Sequence, residues 1–250
     1  QTAALVAGEL RQLGWRVREG VGRTGLVAEL GPGHGPTVGL RVDMDALPVE
    51  ERTGLSYAST RQGLMHACGH DLHTCTGLGV ARLLAQEPHL GARVRLLFQP
   101  AEELAQGAVW MRDAGAVEGL DALYGVHVVP NLPVGTVGIR RGCLTAAAGE
   151  LEILVQGEGG HGARPHQSVD AVWLAARVIT ELQQTIARRL DALQPVVISF
   201  GKVEGGRAFN VIADQVRLLG TVRCLDLQQH AQLPAWIDET VQGICASGGG

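Results

Sequence analysis

The chain has 250 residues, of which 46% are hydrophobic and 18% charged, and its formal net charge is −4 at pH 7. This length and composition are typical of a globular protein with one large domain or two modest ones. The mildly acidic balance offers no basic patch for a nucleic acid. We therefore expect no nucleic acid as a partner. No apolar run approaches the roughly 20 residues that a membrane span needs, so we expect no membrane partner either.

The cysteines and the first residue bear on where the protein works and how much of it is present. Five cysteines at irregular spacing do not form the pattern of a disulfide framework, which favours a reducing, cytoplasmic location. The chain starts at Gln1, without a methionine and inside a helical pattern. We therefore expect that an N-terminal piece is missing.

The first forty residues predict one helix and several strands. Apolar residues at helical spacing predict a helix over residues 3–13, ended by Gly14. Strands are predicted over residues 15–17, 26–30 and 38–42. The glycines of segment 31–36 resemble a phosphate loop, but its two prolines and the absence of a following helix favour a hairpin turn.

Two carboxylates, Asp43 and Asp45, directly follow the strand over residues 38–42. Residues at positions i and i+2 of an extended strand point to the same side. Open α/β sheets place their sites at the C-terminal ends of strands. An acidic pair before a proline can also be a turn with capping side chains. We favour a functional role because residue types that bind metals follow within about thirty residues.

Those residue types lie in segment 65–73, which combines a thiol, three imidazoles and a carboxylate ahead of a helical pattern over residues 72–87. Thiolate and neutral imidazole are preferred ligands of zinc, and Gly69 allows a tight turn beside them. We expect the positive end of the helix to lower the pKa of Cys68 towards the thiolate. A lone Cys-x-His would be better explained as a small buried cysteine beside surface histidines.

Two further strand ends carry candidate site residues. The strand over residues 93–98 has nearly continuous apolar character, which predicts a sheet covered on both faces, and Glu102 and Glu103 follow it. One glutamate could bind a metal while the other moves a proton, although acidic pairs are also common where helices begin. A strand over residues 120–129 carries His127. A single histidine in an apolar strand is more often a core residue. We favour a functional role because it follows two other groups of candidate residues at strand ends, the aspartate pair and the glutamate pair.

The order of elements changes once along the chain. Strands and helices alternate in residues 1–144, which predicts an α/β domain with a mostly parallel sheet. Residues 145–250 follow a β-α-β-β-α order, which is typical of a smaller α+β domain. Its strands are predicted over residues 151–155, 195–200 and 216–223, and its helices over residues 172–190 and 227–246.

With these segments in hand, the chain resembles the dinuclear-zinc metallopeptidase and aminoacylase family. The similar branch contains hippurate hydrolases, auxin-conjugate hydrolases and N-acetyl-diaminopimelate deacetylases. The matching segments, in the family's order and spacing, are 41–48, 66–71, 98–103, 125–127, 160–163 with 165–166, and 210–212. The resemblance implies a catalytic domain with a smaller inserted dimerisation (lid) domain, in agreement with the change of pattern near Thr145.

The resemblance also implies a role for each matching residue. Four residues become ligands of two divalent ions (zinc, manganese or cobalt), namely Cys68, His70, Glu103 and His127. Glu102 becomes the general base that takes a proton from a metal-bridging water, and Asp45 supports a ligand from outside the coordination sphere. His161 hydrogen-bonds the developing oxyanion in the partner subunit's site. Asn210 contacts the substrate carboxylate or backbone, and Arg223 is a second candidate for that carboxylate.

The implied activity is hydrolysis of the amide bond of N-acyl amino acids or similar amide conjugates by a homodimer. A dipeptidase or carboxypeptidase of the same superfamily stays open, and so does a relative that binds metal without hydrolysis. The thiol of Cys68 favours the amidohydrolase branch, and the intact pair of Glu102 and Glu103 argues against an inactive relative. The family pattern requires a later histidine ligand, which we expect beyond Gly250. This piece is therefore expected to bind at most one metal tightly and to show little hydrolysis.

Overall fold

The computed structural model describes residues 1–250, which form two compact units, Gln1–Thr136 and Val137–Gly250. Each unit has its own hydrophobic core. The division falls a few residues before the predicted boundary at residues 144 and 145. None of the helices combines the length and the apolar character that a membrane span requires.

The first unit contains three helices and five strands. The helices are α1 (Thr2–Gln12), α2 (His70–Leu84) and α3 (Gly107–Asp113). The strands are β1 (Arg16–Val21), β2 (Gly25–Leu30), β3 (Thr37–Asp43), β4 (Arg93–Gln99) and β5 (Ala122–Gly125). Helix α3 was not predicted, because a helix of two turns is too short to show a clear apolar period. The strand predicted over residues 120–129 ends at Gly125, so His127 lies in the segment that follows it.

The sheet of the first unit is mixed, with the strand order β1-β2-β4-β3-β5. Strand β3 pairs in parallel with β4 and β5, whereas β2 pairs antiparallel with β1 and β4. The prediction of a mostly parallel sheet is therefore wrong. No helix separates β1 from β2, and strands joined by a short turn pair antiparallel. The hairpin predicted at residues 31–36 is also wrong, because β4 lies between β2 and β3 and pairs with both.

Helices cover both faces of this sheet. On one face, α1 and α2 pack against a cluster that includes Leu96 and Phe98, both with no exposed surface. On the other face, Leu97 packs with Met111 of α3. Successive residues of a strand point to opposite faces, so the apolar run of β4 serves both clusters. The prediction of a sheet covered on both faces is confirmed at this strand.

The second unit is an α+β arrangement. Its elements are β6 (Ala147–Gln156), β7 (Gly160–His161), a 3₁₀ turn (Pro165–Gln167), α4 (Ala171–Arg189), β8 (Val196–Gly205), β9 (Val211–Ile212), β10 (Gln215–Cys224) and α5 (Leu227–Ala246). Strands β6, β10 and β8 form an antiparallel sheet, and β7 and β9 form a separate two-stranded ribbon. Helices α4 and α5 share one core with the three-stranded sheet. Helix α4 begins where the Asp170 side chain accepts the backbone N–H groups of Val172 and Trp173.

The parallel half of the first sheet determines where the site can form. Asp43 at the end of β3 pairs with Gln99 at the end of β4, and Arg41 pairs with Gly125 at the end of β5. The three strands therefore deliver their following segments to one edge of the sheet. Helix α2 starts at His70 and packs against β3 and β4, so its first turn reaches the same edge.

Gly77 and Gly79 offer a matched test of how α2 packs against the sheet. A Cβ atom on Gly77 would lie 3.0 Å from both Phe98 Cζ and Val42 Cγ2, whereas a Cβ on Gly79 would have no neighbour within 4 Å. We expect Gly77→Leu to lower the free energy of unfolding by about 1–3 kcal/mol, because the added side chain overpacks this contact. Gly79→Leu should raise it by up to roughly 1 kcal/mol, since a glycine in a helix is replaced by a good helix former.

Denaturant or thermal unfolding of both variants measures this difference. Equal stability of the two leucine variants would contradict the close packing of α2 on β3 and β4.

Candidate metal centre

The four predicted metal ligands come from separate segments and meet in the first unit. The potential ligand atoms of Cys68, His70 and His127 lie within 4.8 Å of one another, and those of His70, Glu102 and Glu103 do so as well. The Sγ atom of Cys68 lies 3.5 Å from Nε2 of His127. His70 is common to both groups, so its imidazole lies at the centre of the cluster.

The hydrogen bonds of His70 define which of its ring nitrogens faces the cluster. Its ring is buried at the start of α2, and its Nδ1 donates a hydrogen bond to the backbone oxygen of Asp45 at 3.0 Å. A carbonyl oxygen can only accept, so Nδ1 carries the proton and Nε2 carries the lone pair. That Nε2 atom is buried and has no hydrogen-bond partner.

Negative oxygens surround this nitrogen. The distances from His70 Nε2 to the nearest carboxylate oxygens of Asp43, Glu102 and Glu103 are 3.7, 3.8 and 3.9 Å. A buried acceptor that faces other acceptors is unfavourable unless a proton or a metal ion lies between them. Imidazole, thiolate and carboxylate are together the ligand types of zinc and similar divalent ions. The residues of the cluster therefore fit a divalent metal.

The same negative charge acts on Cys68. Burial, followed by the charge of Glu103, raises the pKa of the Cys68 thiol to about 11. The prediction that the start of α2 would lower this pKa is wrong, because burial and the nearby carboxylates outweigh the partial charge of the helix end. A coordinated metal ion reverses this balance, since a coordinating thiol loses its proton.

Asp43 is a fully buried carboxylate at the end of β3. Its Oδ1 accepts a 2.5 Å hydrogen bond from His73 Nδ1, and its Oδ2 lies 2.8 Å from Arg41 Nη1 in an ion pair without hydrogen-bond alignment. Burial would raise the pKa of Asp43, but the hydrogen bond from His73 and the charge of Arg41 hold it below its usual value. Asp43 is therefore ionised at neutral pH.

Asp45 contacts two of the predicted ligands. Besides its backbone contact with His70, its Oδ2 accepts the backbone N–H of Glu103 at 3.1 Å. Its Oδ1 lies 3.3 Å from His70 Nδ1. As expected for positions i and i+2, the carboxylates of Asp43 and Asp45 both face His70. Asp45 thereby ties the segment after β4 to the start of α2.

His73 is a site residue that the sequence reasoning missed. Its ring is buried, and its centroid lies 5.4 Å from that of His70 and 4.6 Å from that of His127. Its Nδ1 bonds to Asp43, and its Nε2 accepts the backbone N–H of Val128 at 2.8 Å. The signal in the sequence was the spacing of three from His70, which places both rings on one face of a helix.

In the second unit, the structure brings His161 and Asn210 together. The ribbon of β7 and β9 pairs His161 with Val211, and the backbone N–H of Gly162 donates to the backbone oxygen of Asn210 at 2.9 Å. His161 Nδ1 accepts the backbone N–H of Ala163 at 3.1 Å. Its Nε2 therefore carries the ring proton and is the donor of this exposed side chain.

Arg223 lies away from that pair. It is at the end of β10, where it pairs with Ala148 and Val197. Asn210 precedes the start of β10 at Gln215, and a strand rises roughly 3.3 Å per residue. Most of the strand thus separates Arg223 from Asn210.

Proteins of similar sequence are known. The "Probable hydrolase sll0100" of Synechocystis sp. is 56% identical over 252 residues, which cover 100% of this chain and 64% of that protein. The N-acetylcysteine deacetylase of Bacillus subtilis is 42% identical over 229 residues, or 91% of this chain and 60% of that protein. The chain thus spans less than two thirds of the length of these curated relatives.

The fold is similar to that of a solved structure as well. The Bacillus subtilis YXEP protein, described as a dinuclear metal binding peptidase from the M20 family, matches with a TM-score of 0.80 and 35% identity, over 99% of this chain and 65% of that one. Residues 39–240 match the family described as Peptidase family M20/M25/M40. This range contains the whole cluster around His70. The predicted resemblance is confirmed, and the chain belongs to peptidase family M20/M25/M40.

Proposed function

We propose that the protein containing this chain is a metal-dependent amidohydrolase that cleaves the amide bond of N-acyl amino acids or similar amide conjugates. The observation that carries the proposal is the buried, unpartnered Nε2 of His70 among thiol, imidazole and carboxylate ligand atoms. The name of one relative, an N-acetylcysteine deacetylase, supports the substrate class. The cofactor is supported by the YXEP neighbour, which is described as a dinuclear metal binding protein.

In this proposal Cys68, His70, Glu103 and His127 hold two divalent ions, for which zinc, manganese and cobalt are the candidates. When bound, such ions polarise the amide carbonyl and lower the pKa of water. Asp45 orients His70 through the hydrogen bond to its Nδ1, which leaves Nε2 as the ligand atom. A ligand whose second nitrogen is fixed in this way loses less freedom on binding the metal.

The two glutamates divide the work. The backbone of Glu103 is fixed by the hydrogen bond to Asp45 Oδ2, and 25% of its side chain is exposed, compared with 38% for Glu102. Glu103, which is anchored, is the better ligand. Glu102, which has the more exposed side chain, is the better proton carrier. Glu102 takes a proton from the attacking water and delivers it to the leaving amine.

The residues of the second unit act on the substrate. His161 donates a hydrogen bond from its Nε2–H to the developing oxyanion, an interaction that contributes about 2.7–4 kcal/mol in comparable sites. Asn210, next to His161, binds the substrate carboxylate or backbone. Arg223 stays a candidate for the carboxylate, although its distance from Asn210 along β10 does not support a shared site.

Assembly and location complete the proposal. The protein forms a homodimer through a dimerisation (lid) domain of residues 145–250, and residues 1–144 belong to the catalytic domain. His161 acts in the partner subunit's site. All five cysteines are free thiols, as in proteins of the reducing cytoplasm.

A peptidase that uses the same centre is the second candidate, because the YXEP neighbour is described as a peptidase. The two candidates differ in the group that flanks the scissile amide, an acyl group in one and an amino acid with a free amine in the other. Turnover of N-acetyl and N-benzoyl amino acids beside matched dipeptides by the full-length protein distinguishes them. Dipeptides as the only substrates would overturn the amidohydrolase proposal.

Substitution of each glutamate tests the division of work between Glu102 and Glu103. We expect Glu102→Gln to keep the metal content near that of the wild type and to lower kcat by roughly 10²–10⁴-fold, because only the proton carrier is lost. Glu103→Gln should lose metal, since a neutral amide is a poor ligand for zinc. Elemental analysis and N-acyl amino acid turnover of the full-length variants provide both measurements. Loss of metal in Glu102→Gln, or an unchanged kcat, would contradict the assignment.

Mixed dimers test whether His161 acts across subunits. Full-length His161→Ala and full-length Glu102→Gln should each be nearly inactive, because each lacks one part of every site. After the two are mixed and allowed to exchange subunits, one site in each heterodimer regains all of its residues. We therefore expect partial recovery of turnover in the mixture. Heterodimers that form but recover nothing would place His161 in its own subunit's site.

A further inference from the structure

We infer that His73 is a positioning residue that holds His127 in its metal-binding geometry through the chain Asp43–His73–Val128. The inference rests on the proposed metal centre and adds a residue to it that binds neither metal nor substrate. His73 lies among the potential ligand atoms, in a group with Asp43 and His70. The question is therefore whether it is a ligand itself or supports one.

The hydrogen bonds of His73 exclude the first possibility. A backbone N–H can only donate, so His73 Nε2 accepts the bond from Val128 and its lone pair is used. Its Nδ1 carries the ring proton and donates it to Asp43 Oδ1. Both nitrogens are engaged, in one defined tautomer, and neither is available to a metal ion.

The hydrogen bonds from Asp43 through His73 end at Val128, the residue next to His127. Strand β5 ends at Gly125, so no ladder of strand hydrogen bonds fixes His127 and Val128. The N–H of Val128 is instead held by the ring of His73. The Nδ1 atom of His127 donates to the backbone oxygen of Val128 at 2.7 Å, which directs its other nitrogen, Nε2, towards Cys68. A shift of Val128 therefore moves the ligand atom of His127.

Gly69 packs against Val128 as well. It has a φ of +79° at the start of α2, and a Cβ atom there would lie 2.5 Å from Val128 Cγ2. The absence of a side chain lets Val128 pack directly on the backbone of the Cys68–His70 turn. Val128 is thus fixed against the segment that carries two other ligands, with His73 as its polar contact and Gly69 as its apolar one.

Asp43, the buried end of this series of hydrogen bonds, is itself held rigidly. Asp43 has no exposed surface and is also held through its backbone oxygen, which accepts the hydroxyl of Thr74 at 3.0 Å. Thr74 therefore links α2 to β3, as His73 does, but its side chain forms no hydrogen bond to the His127 segment. This difference separates a positioning role of His73 from a general role in packing the helix on the sheet.

Four variants of the full-length protein test the inference with zinc as the only added metal. His73→Gln places an amide near the position of Nε2 and can still accept the N–H of Val128. His73→Asn places its amide near Nδ1 and can bond only to Asp43. His73→Ala loses both bonds. Thr74→Val removes the other link between α2 and β3 at nearly constant volume and serves as the matched control.

Zinc affinity is measured by competition with a chromophoric chelator, and the unfolding temperature of the metal-free protein is measured in parallel. We expect His73→Asn and His73→Ala to bind zinc about 10–100-fold more weakly than the wild type, as for other residues that support ligands. His73→Gln should recover most of the affinity. Thr74→Val should lower the unfolding temperature without changing the affinity.

Equal zinc affinity of His73→Asn and the wild type would overturn the inference, and so would an equal loss in Thr74→Val. If His73→Ala does not fold, the comparison of the Gln and Asn variants decides. The wild type is also tested separately with manganese and with cobalt, and failure to bind any of the three ions would overturn the proposed metal centre. Normal zinc binding in every His73 variant is a different result, which overturns only the role of His73.

Discussion

A buried carboxylate connects the core of the first unit to the candidate metal centre. Asp43 is the last residue of β3 and has no exposed surface. An ionised carboxylate in such a place requires partners, and it finds them in Arg41 and His73. His73 lies in the first turn of α2, so the contact that stabilises this charge also fixes that turn. The positions of His70 and Cys68 follow from that turn.

The cluster around His70 brings like charges together and therefore favours a cation. Four acidic side chains lie near His70, and its buried Nε2 has no donor to satisfy it. Burial and negative charge raise the pKa of the Cys68 thiol to about 11. All three features are unfavourable in a protein without metal and become favourable beside a divalent ion. Metal binding to such a site also stabilises the folded state, since the unfolded chain does not assemble these ligands.

The sequence by itself determined the family, the segments that carry the site and most element positions. The candidate site residues after β3, at the start of α2 and after β4 were identified from their residue types and spacing alone. Helix α5 was predicted at its observed bounds, because an apolar helical period is a local property of the chain. The four residues predicted as ligands do lie together in the structure, although their role as ligands stays a prediction.

Only the tertiary structure decided the rest. The mixed sheet depends on the position of β4 between β2 and β3. The apolar period of a segment does not predict this order of strands. The raised pKa of Cys68 depends on burial and on Glu103, which lies far from it in sequence. The role of His73 depends on a hydrogen bond to Val128, 55 residues away along the chain. Residue type and spacing identify candidates for a site, whereas burial and partners, which arise from distant segments, decide what each candidate does.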